Sequence, residues 1–432
     1  MQEYALISGA FTRNRKLPLE HTLGIVLHMS AHRNMDGYDI TSQNYFAELS
    51  RFTGDVINPV SHQAISQARA KIDWEAFRYL LQQANQDEVF SGKAFRYRGH
   101  IVRAIDGTQI TLPRSEDILD LFEPHNTRTG VSHYPAALLV TAMNVFTGQC
   151  KAARVVNHVG SEREQLMSMV ELDFAPGDIA VLDRGFHGDS VFLRFEDHRQ
   201  FYLCRMRSAE ERRDAKIHEF LTSGKKEQVF SVEVIRTTGE VAQIKIRLLL
   251  GPKDSEGKHV VLATNLLNPQ HYSRKSLLAL YSTRWRVETM YGRVKTLLQL
   301  EQFHARTYNG VMQEIFANLL LISLTALVLL AAAKKLKLDP DIAVPSFKNA
   351  LTVIKRHLAE LIRVREPITP ERAKNLAEVI IEEASRLIWK KQPGRSYPRI
   401  SHRPAKGWSL YKNDRIKEFK KLTRQRSLNC QH

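Results

Sequence analysis

The chain has 432 residues, 43% of them hydrophobic and 25% charged, a balance that excludes a disordered polypeptide and leaves room for two or three domains. Its 63 Lys and Arg against 46 Asp and Glu leave a formal charge of +17, with a pI near 9.7, which points to an anionic partner. The three cysteines, Cys150, Cys204 and Cys430, are widely spaced and form no CxxC pair, so neither a zinc site nor a disulfide framework is indicated and a reducing cytosol fits best.

The N-terminus, MQEYALISGAF followed by Arg13, Arg15 and Lys16, lacks the apolar stretch of a signal peptide. From about Leu17 to Phe90 the pattern is helical. After a turn at Asn58-Pro59, Ser61 is placed to cap a helix that carries Ala64, Ile65, Ala68 and Ile72 on one face, an arrangement compatible with a helix-turn-helix. Residues 1–95 are therefore expected to form a helical DNA-binding domain.

At Gly99 the pattern changes to short apolar runs. HIVRAIDGTQI, AALLVTAMNVF and QCKAARVVNHV read as strands, and SEREQLMSMVEL reads as a helix with Ser161 and Glu164 in capping-box spacing. DIAVLDRGFHG reads as a buried strand ending at Asp183, DSVFLRFED as a helix and QFYLCRMR as a strand. This order predicts an α/β domain with a mixed sheet over 96–206. Residues 207–268 turn charged and strand-like, with a turn at Thr238-Gly239, and are expected to be an inserted β-rich subdomain. The core is then expected to resume over 269–340. Leu319–Ala333 is 15 residues long and contains Ser323 and Thr325, which predicts a buried core helix rather than a membrane span. Residues 341–432 are expected to be helical and basic. From Lys391 to Arg426 there are 12 Lys or Arg against two acids, with Tyr397, Trp408, Tyr411 and Phe419 interleaved, as in a nucleic-acid contact or an oligomerisation arm.

The residues that carry chemistry fall in three places. Asp106 and Asp183 each end an apolar run and are followed closely by glycine, which lets the backbone turn away from the carboxylate. In YSTRWRVETMYGRVK, read as one helix at about 100° per residue, Tyr281, Arg284, Glu288 and Lys295 share a sector of roughly 60°. A carboxylate flanked by cations suits a metal ligand beside phosphate-holding groups. Two strand-end aspartates with a later helical glutamate are hard oxygen donors of the kind Mg²⁺ or Mn²⁺ takes, and two such ions can hold the attacking and leaving oxygens of a phosphodiester. Read singly, an aspartate before glycine is a turn residue, and Arg284 with Glu288 is a solvated ion pair.

These motifs, DGT at Asp106, DRGF at Asp183 and Y-x2-R-x3-E-x6-K from Tyr281 to Lys295, resemble those of bacterial insertion-sequence transposases of the DDE class with the Tyr-Arg-Glu-Lys signature, the IS-four family. The tail segment RSYPRISHRPAKGW is similar to the closing segment of that family. The resemblance implies a ribonuclease-H-like catalytic core with a β-rich insertion, with Asp106, Asp183 and Glu288 as catalytic metal ligands for two Mg²⁺ or Mn²⁺ ions. It implies DNA contacts by Tyr281, Arg284 and Lys295. Trp285 reads either as a stacking platform for a displaced base or as a core residue. The implied activity is cleavage at insertion-sequence ends followed by strand transfer into target DNA. Its partners would be the terminal inverted repeats, target DNA and a second copy of the chain, with no membrane and no small-molecule substrate, in the cytoplasm of a bacterium at its nucleoid. A metal-dependent nuclease without strand transfer and a non-catalytic DNA-binding protein are the alternatives.

Overall fold

The computed structural model describes residues 2–7, 10–12, 17–30, 37–85, 92, 95–127, 130–207, 215–254, 257–340, 342–362 and 369–391. The basic tail, expected to touch DNA or a second copy, lies outside the described residues from 392 on. The compact unit Met1–Trp389 holds the elements that position the site, and Lys390–His432 form a second unit.

Nine strands build one mixed sheet: β1 (Val102–Thr111), β2 (Pro124–Thr127), β3 (Gly130–Asn144), β4 (Cys150–Asn157), β5 (Ile179–Leu182), β6 (Phe201–Arg205), β7 (Glu227–Ile235), β8 (Val241–Lys253) and β9 (His259–Thr264). The order is β2-β3-β1-β5-β6-β9-β8-β7, with β4 also paired to β3. β1 is antiparallel to β3 and parallel to β5, and β6 runs parallel to β5. The predicted α/β class with a mixed sheet is what the chain adopts. The turn at Gly239, φ +87°, joins β7 to β8, a conformation that glycine adopts without steric cost. The meander of β7, β8 and β9 is the segment expected to be an inserted β-rich subdomain; its β9 pairs with β6 through Leu203↔Thr264 and Cys204↔Ala263, so it is hydrogen-bonded to the central sheet. An apolar alternating edge is best buried by hydrogen bonding to an existing strand, and a three-stranded meander gains more from that than from standing alone.

Both faces of the sheet are covered, which explains the unbroken apolar run IAVL in β5, all four residues buried. One face packs under α6 (Glu162–Leu172), α7 (Asp189–Asp197) and α8 (Ala215–Thr222), through Leu166, Met169, Phe192, Phe195 and Phe220. Ser161 caps α6 by accepting from the Glu164 N–H, as its spacing predicts. The other face carries α9 (Arg274–Ser282), α10 (Trp285–Thr296) and α11 (Tyr308–Lys335). By length and composition α11 could cross a bilayer, yet 67% of its most apolar window is buried inside the protein, in line with the core helix expected from Leu319–Ala333.

Before the sheet come α1 (Leu19–Ser30), α2 (Tyr38–Thr53), α3 (His62–Arg69) and α4 (Glu75–Ala84), and short α5 (Glu116–Leu119) follows β1. Ser61 caps α3 as expected, and Ile65, Ala68 and Ile72 are buried. Leu23, Val26, Phe77 and Leu81 share one core with Phe316 and Leu319 of α11, each such side chain contributing about 1.5–3 kcal/mol on burial. A polar clamp reinforces this seam. Buried Arg69 donates to Glu314 Oε1 at 2.9 Å, to Gln313 Oε1 at 3.1 Å, to the Tyr38 hydroxyl at 2.7 Å and to the Gly310 carbonyl at 2.9 Å. The C-terminal helices α12 (Phe347–Arg356), α13 (Leu358–Leu361) and α14 (Pro370–Ser385) lie in the region 341–432 that was expected to be helical.

Candidate active site

Strand register brings the two aspartates together. β1 and β5 pair in parallel through Val102↔Ile179, Arg103↔Ala180 and Ala104↔Val181. Two residues beyond the last pair lie Asp106 and Asp183, so the register carried forward sets them side by side. Alternation along each strand puts them on one face. Val102, Ala104 and Ile110 of β1, and Ile179 and Val181 of β5, belong to the core beneath α9, α10 and α11, whereas Ile105, Ala180 and Leu182 belong to the opposite core. Asp106 and Asp183 therefore open toward the helices that carry the Tyr-Arg-Glu-Lys residues.

One expectation is corrected. Asp106 does not end its strand: β1 runs on to Thr111, with Asp106 paired to Thr141 of β3. What ends there is the partner, because β5 stops at Leu182 and Asp183 caps the 3₁₀ turn Arg184–Phe186. The opening that a strand end provides is thus supplied by β5 alone. Each carboxylate is held by one main-chain donor, Asp106 Oδ1 by Gly107 N–H at 3.0 Å and Asp183 Oδ1 by Gly185 N–H at 2.7 Å.

The Tyr281–Lys295 segment is not one helix either. α9 ends at Ser282 and α10 begins at Trp285. Between them the chain tightens into i→i−3 bonds, Thr283 N to Leu280 O, Arg284 N to Tyr281 O, Arg286 N to Thr283 O and Val287 N to Arg284 O. Thr283 helps by donating its hydroxyl to Leu280 O at 2.7 Å. Arg284 stands at this junction, 9% exposed, donating from Nη2 to Glu288 Oε1 at 2.7 Å and lying 5.0 Å from the Trp285 ring.

The electrostatics centre on Arg284. Burial pushes the Asp106 carboxyl up to about 6; Asp183 and Glu162 push the same way, against the Gly107 hydrogen bond and the Arg284 charge. Burial alone would lower the Arg284 pKa, but Tyr281, Glu288 and Asp183 outweigh it and raise it. Tyr281 is raised by burial, with Arg284 opposing and Asp183 adding a small push. Tyr281, Arg284, Asp106 and Asp183 thus form one neighbourhood, and Glu288 joins it through Arg284. Lys295 stands apart. Its ammonium donates to the main-chain oxygen of Gln109 at 2.6 Å, three residues and so about 10 Å along β1 from Asp106. Trp285 is 48% exposed, so it is not a core residue, and its ring lies beside the Arg284 guanidinium.

Two residues escape motif reading. Glu162, at the start of α6, lies against β1 so closely that a Cβ on Gly107 would come within 2.2 Å of its Oε1, and a larger residue there would push the glutamate side chain aside. Burial and Asp183 both raise its pKa. In the sequence it looks like an ordinary acid favoured by a helix N-terminus. Tyr291 falls roughly 20° outside the 60° sector of the four signature residues when read at 100° per residue, yet it is tied to Asp106.

Among the described residues no three His, Cys, Asp or Glu side chains converge closely enough to enclose a metal ion. The donor chemistry still fits a hard divalent cation. Asp106 and Asp183 present adjacent anionic oxygens in a half-buried setting that disfavours ionisation of Asp106, which a bound cation would reverse.

Comparison with known proteins identifies the family. Residues 97–324 match the family described as the transposase DDE domain. The chain belongs to that family. It is a DNA transposase, and the matched residues hold the mixed sheet, α9, α10 and the first part of α11. It is 23% identical over 390 residues to the transposase InsG for insertion sequence element IS4 of Escherichia coli (strain K12), covering 86% of this chain and 83% of that protein. It is 24% identical over 220 residues to a probable transposase for insertion sequence element IS5377 of Geobacillus stearothermophilus, covering 50% of this chain and 53% of that one. Among solved structures it is similar to a piggyBac transposase synaptic complex with hairpin DNA, at 10% identity and a TM-score of 0.45 over 94% of this chain and 82% of that chain.

Proposed function

We propose that this transposase cleaves DNA at the ends of its element and joins the freed strands to target DNA at a single site built on Asp106, Asp183 and Glu288. The observation that supports the reading is the β1–β5 register, whose last pair, Ala104↔Val181, stands two residues before Asp106 and Asp183. The order β4-β3-β1-β5-β6, with three antiparallel strands followed by two parallel ones, supports a ribonuclease-H-like core.

Mg²⁺ or Mn²⁺, as two ions held by Asp106, Asp183 and Glu288, would supply polarisation of the phosphodiester and activation of the attacking hydroxyl group. The protein's own side chains do the rest. Arg284, buried beside both aspartates, offers a guanidinium to a phosphate, and the bond it now makes to Glu288 is exchanged when DNA arrives. Tyr281 lends a neutral hydroxyl at the same place. Trp285, exposed at the head of α10, stacks on a base displaced from the element end. Lys295 holds β1 to α10 through Gln109 and meets the phosphate chain farther along. The N-terminal helices α2 and α3 read the inverted repeats, and two copies act together because two ends must be cut.

The test is divalent-ion-dependent cleavage and joining of the DNA ends flanking the gene, comparing wild type with Glu288→Gln. Products from wild type alone, joined strands included, support the reading. Equal activity in both removes Glu288 from the mechanism, and cleavage without joined strands reduces the protein to a nuclease.

A further inference from the structure

The catalytic carboxylates come from separate elements, two from the sheet and one from α10, and something has to set the spacing between them. Tyr291 is on α10, three residues after Glu288, and is buried at 7% exposure. Its hydroxyl donates to the main-chain oxygen of Asp106 at 2.5 Å and accepts from Thr141 Oγ1 at 2.8 Å. Asp106 and Thr141 are direct register partners on β1 and β3, so the phenol is seated over one rung of the ladder, the rung that carries the aspartate. Leu139 O lies 3.4 Å from the same hydroxyl. Around it, Val287, Met290 and Val294 bury the rest of this helix face in the core shared with Val102 and Ala104. Apolar packing alone lets a helix slide or rotate by fractions of an ångström, whereas a hydrogen bond to a defined carbonyl does not.

We infer that Tyr291 is a positioning residue for the metal site: its bond to the Asp106 carbonyl sets the height and rotation of α10, and so the distance from Glu288 to the aspartate pair. This rests on the reading of Asp106, Asp183 and Glu288 as metal ligands. A helix residue three positions away is displaced by about 100° × 3, or 60° the other way round, and by about 4.5 Å along the axis, so a small tilt at Tyr291 moves the Glu288 carboxylate by a comparable amount. A displacement near 1 Å at a reacting centre costs on the order of 10²-fold in rate.

The experiment measures Mn²⁺ binding to the full-length chain by titration calorimetry, with and without an element-end duplex, beside cleavage rates and thermal melting. The variants are Tyr291→Phe, Thr141→Val/Tyr291→Phe and Glu288→Gln. The double variant also removes the Thr141 hydroxyl that Tyr291→Phe would leave without its acceptor, so it is the milder change should the single variant fail to fold. The expected result is Mn²⁺ half-saturation raised at least 5-fold in whichever of the two Tyr291 variants folds, with end binding in the absence of metal within 2-fold of wild type. Mn²⁺ half-saturation equal to wild type in a folded Tyr291 variant overturns the proposal, whatever happens to the cleavage rate. Glu288→Gln separates this from failure of the underlying reading: if that variant binds Mn²⁺ and cleaves as wild type does, the ligand assignment itself is wrong.

Discussion

Arg284 and Glu288 form an ion pair across 2.7 Å, with the guanidinium buried beside Asp106 and Asp183. The acid proposed as a metal ligand is thus already engaged by a cation from its own helix junction, and a phosphate reaching Arg284 would release it. Binding of DNA ends and of divalent ions should therefore be cooperative. Arg284→Gln is expected to tighten Mn²⁺ binding several-fold in the absence of DNA while lowering end cleavage by roughly 10²-fold or more, as for loss of a charge-stabilising donor. Calorimetry and a gel cleavage assay read the two effects; weaker Mn²⁺ binding in the variant would contradict the release.

The raised Asp106 carboxyl has a stability consequence. Its folded pKa of about 6 exceeds the ordinary 3.8, so between those values the folded protein binds more protons than the unfolded one, and stability falls as pH rises through that window. Asp106→Asn is expected to raise Tm in EDTA at pH 7.5, by roughly 1 °C per kcal/mol relieved in a chain of this length, and to flatten the dependence between about pH 4 and 6. Mn²⁺ should stabilise wild type far more than the variant. A variant that melts below wild type in EDTA would show that no such repulsion exists.

Glu314 behaves in the opposite sense. It is buried, which would raise its pKa, but Arg69 and the His304 contacts bring it down to about 2 from the ordinary 4.5. The stability it contributes is present above the unfolded value and is lost as pH falls from about 4.5 toward 2. Glu314→Gln leaves the Arg69 charge buried and should cost about 3–5 kcal/mol at pH 7. Denaturant melts should show that difference shrinking toward pH 2.5, and a constant difference across the range would exclude the ion pair as its source.

Trp285 offers a cleaner separation of binding from folding. Its ring is exposed, so Trp285→Ala should leave thermal stability within about 0.5 kcal/mol, the usual range for surface substitutions. Affinity for an end with an unpaired terminal base should fall by roughly 1–3 kcal/mol, the worth of one stacked base. Fluorescence anisotropy on paired and unpaired ends tests this, and equal losses on both would assign Trp285 to backbone contact.

Much of the site could be read from local spacing. Ser61 and Ser161 cap their helices because an N-cap is decided within four residues. The Arg284–Glu288 contact follows from i, i+4 spacing even though the helix breaks just before it. That break was not legible, since Ser282, Thr283 and Arg284 are all compatible with an uninterrupted helix; the turn tightens through main-chain i→i−3 bonds, to which the Ser282 and Thr283 hydroxyls add theirs.

By itself the sequence determined the acids, their strand and helix settings, the signature spacing and the amphipathic faces, all of which depend on neighbours a few residues away. Tertiary structure alone decided that Asp106 and Asp183, 77 positions apart by number, meet through the β1–β5 register. It also decided that Tyr291 reaches Asp106 across 185 positions, that Arg69 finds Glu314 across 245, and that β9 extends the sheet at β6. Such contacts are set by which chain segments can bury their apolar faces together while pairing most of their buried polar groups, and that is a property of the whole packed chain rather than of any stretch of it.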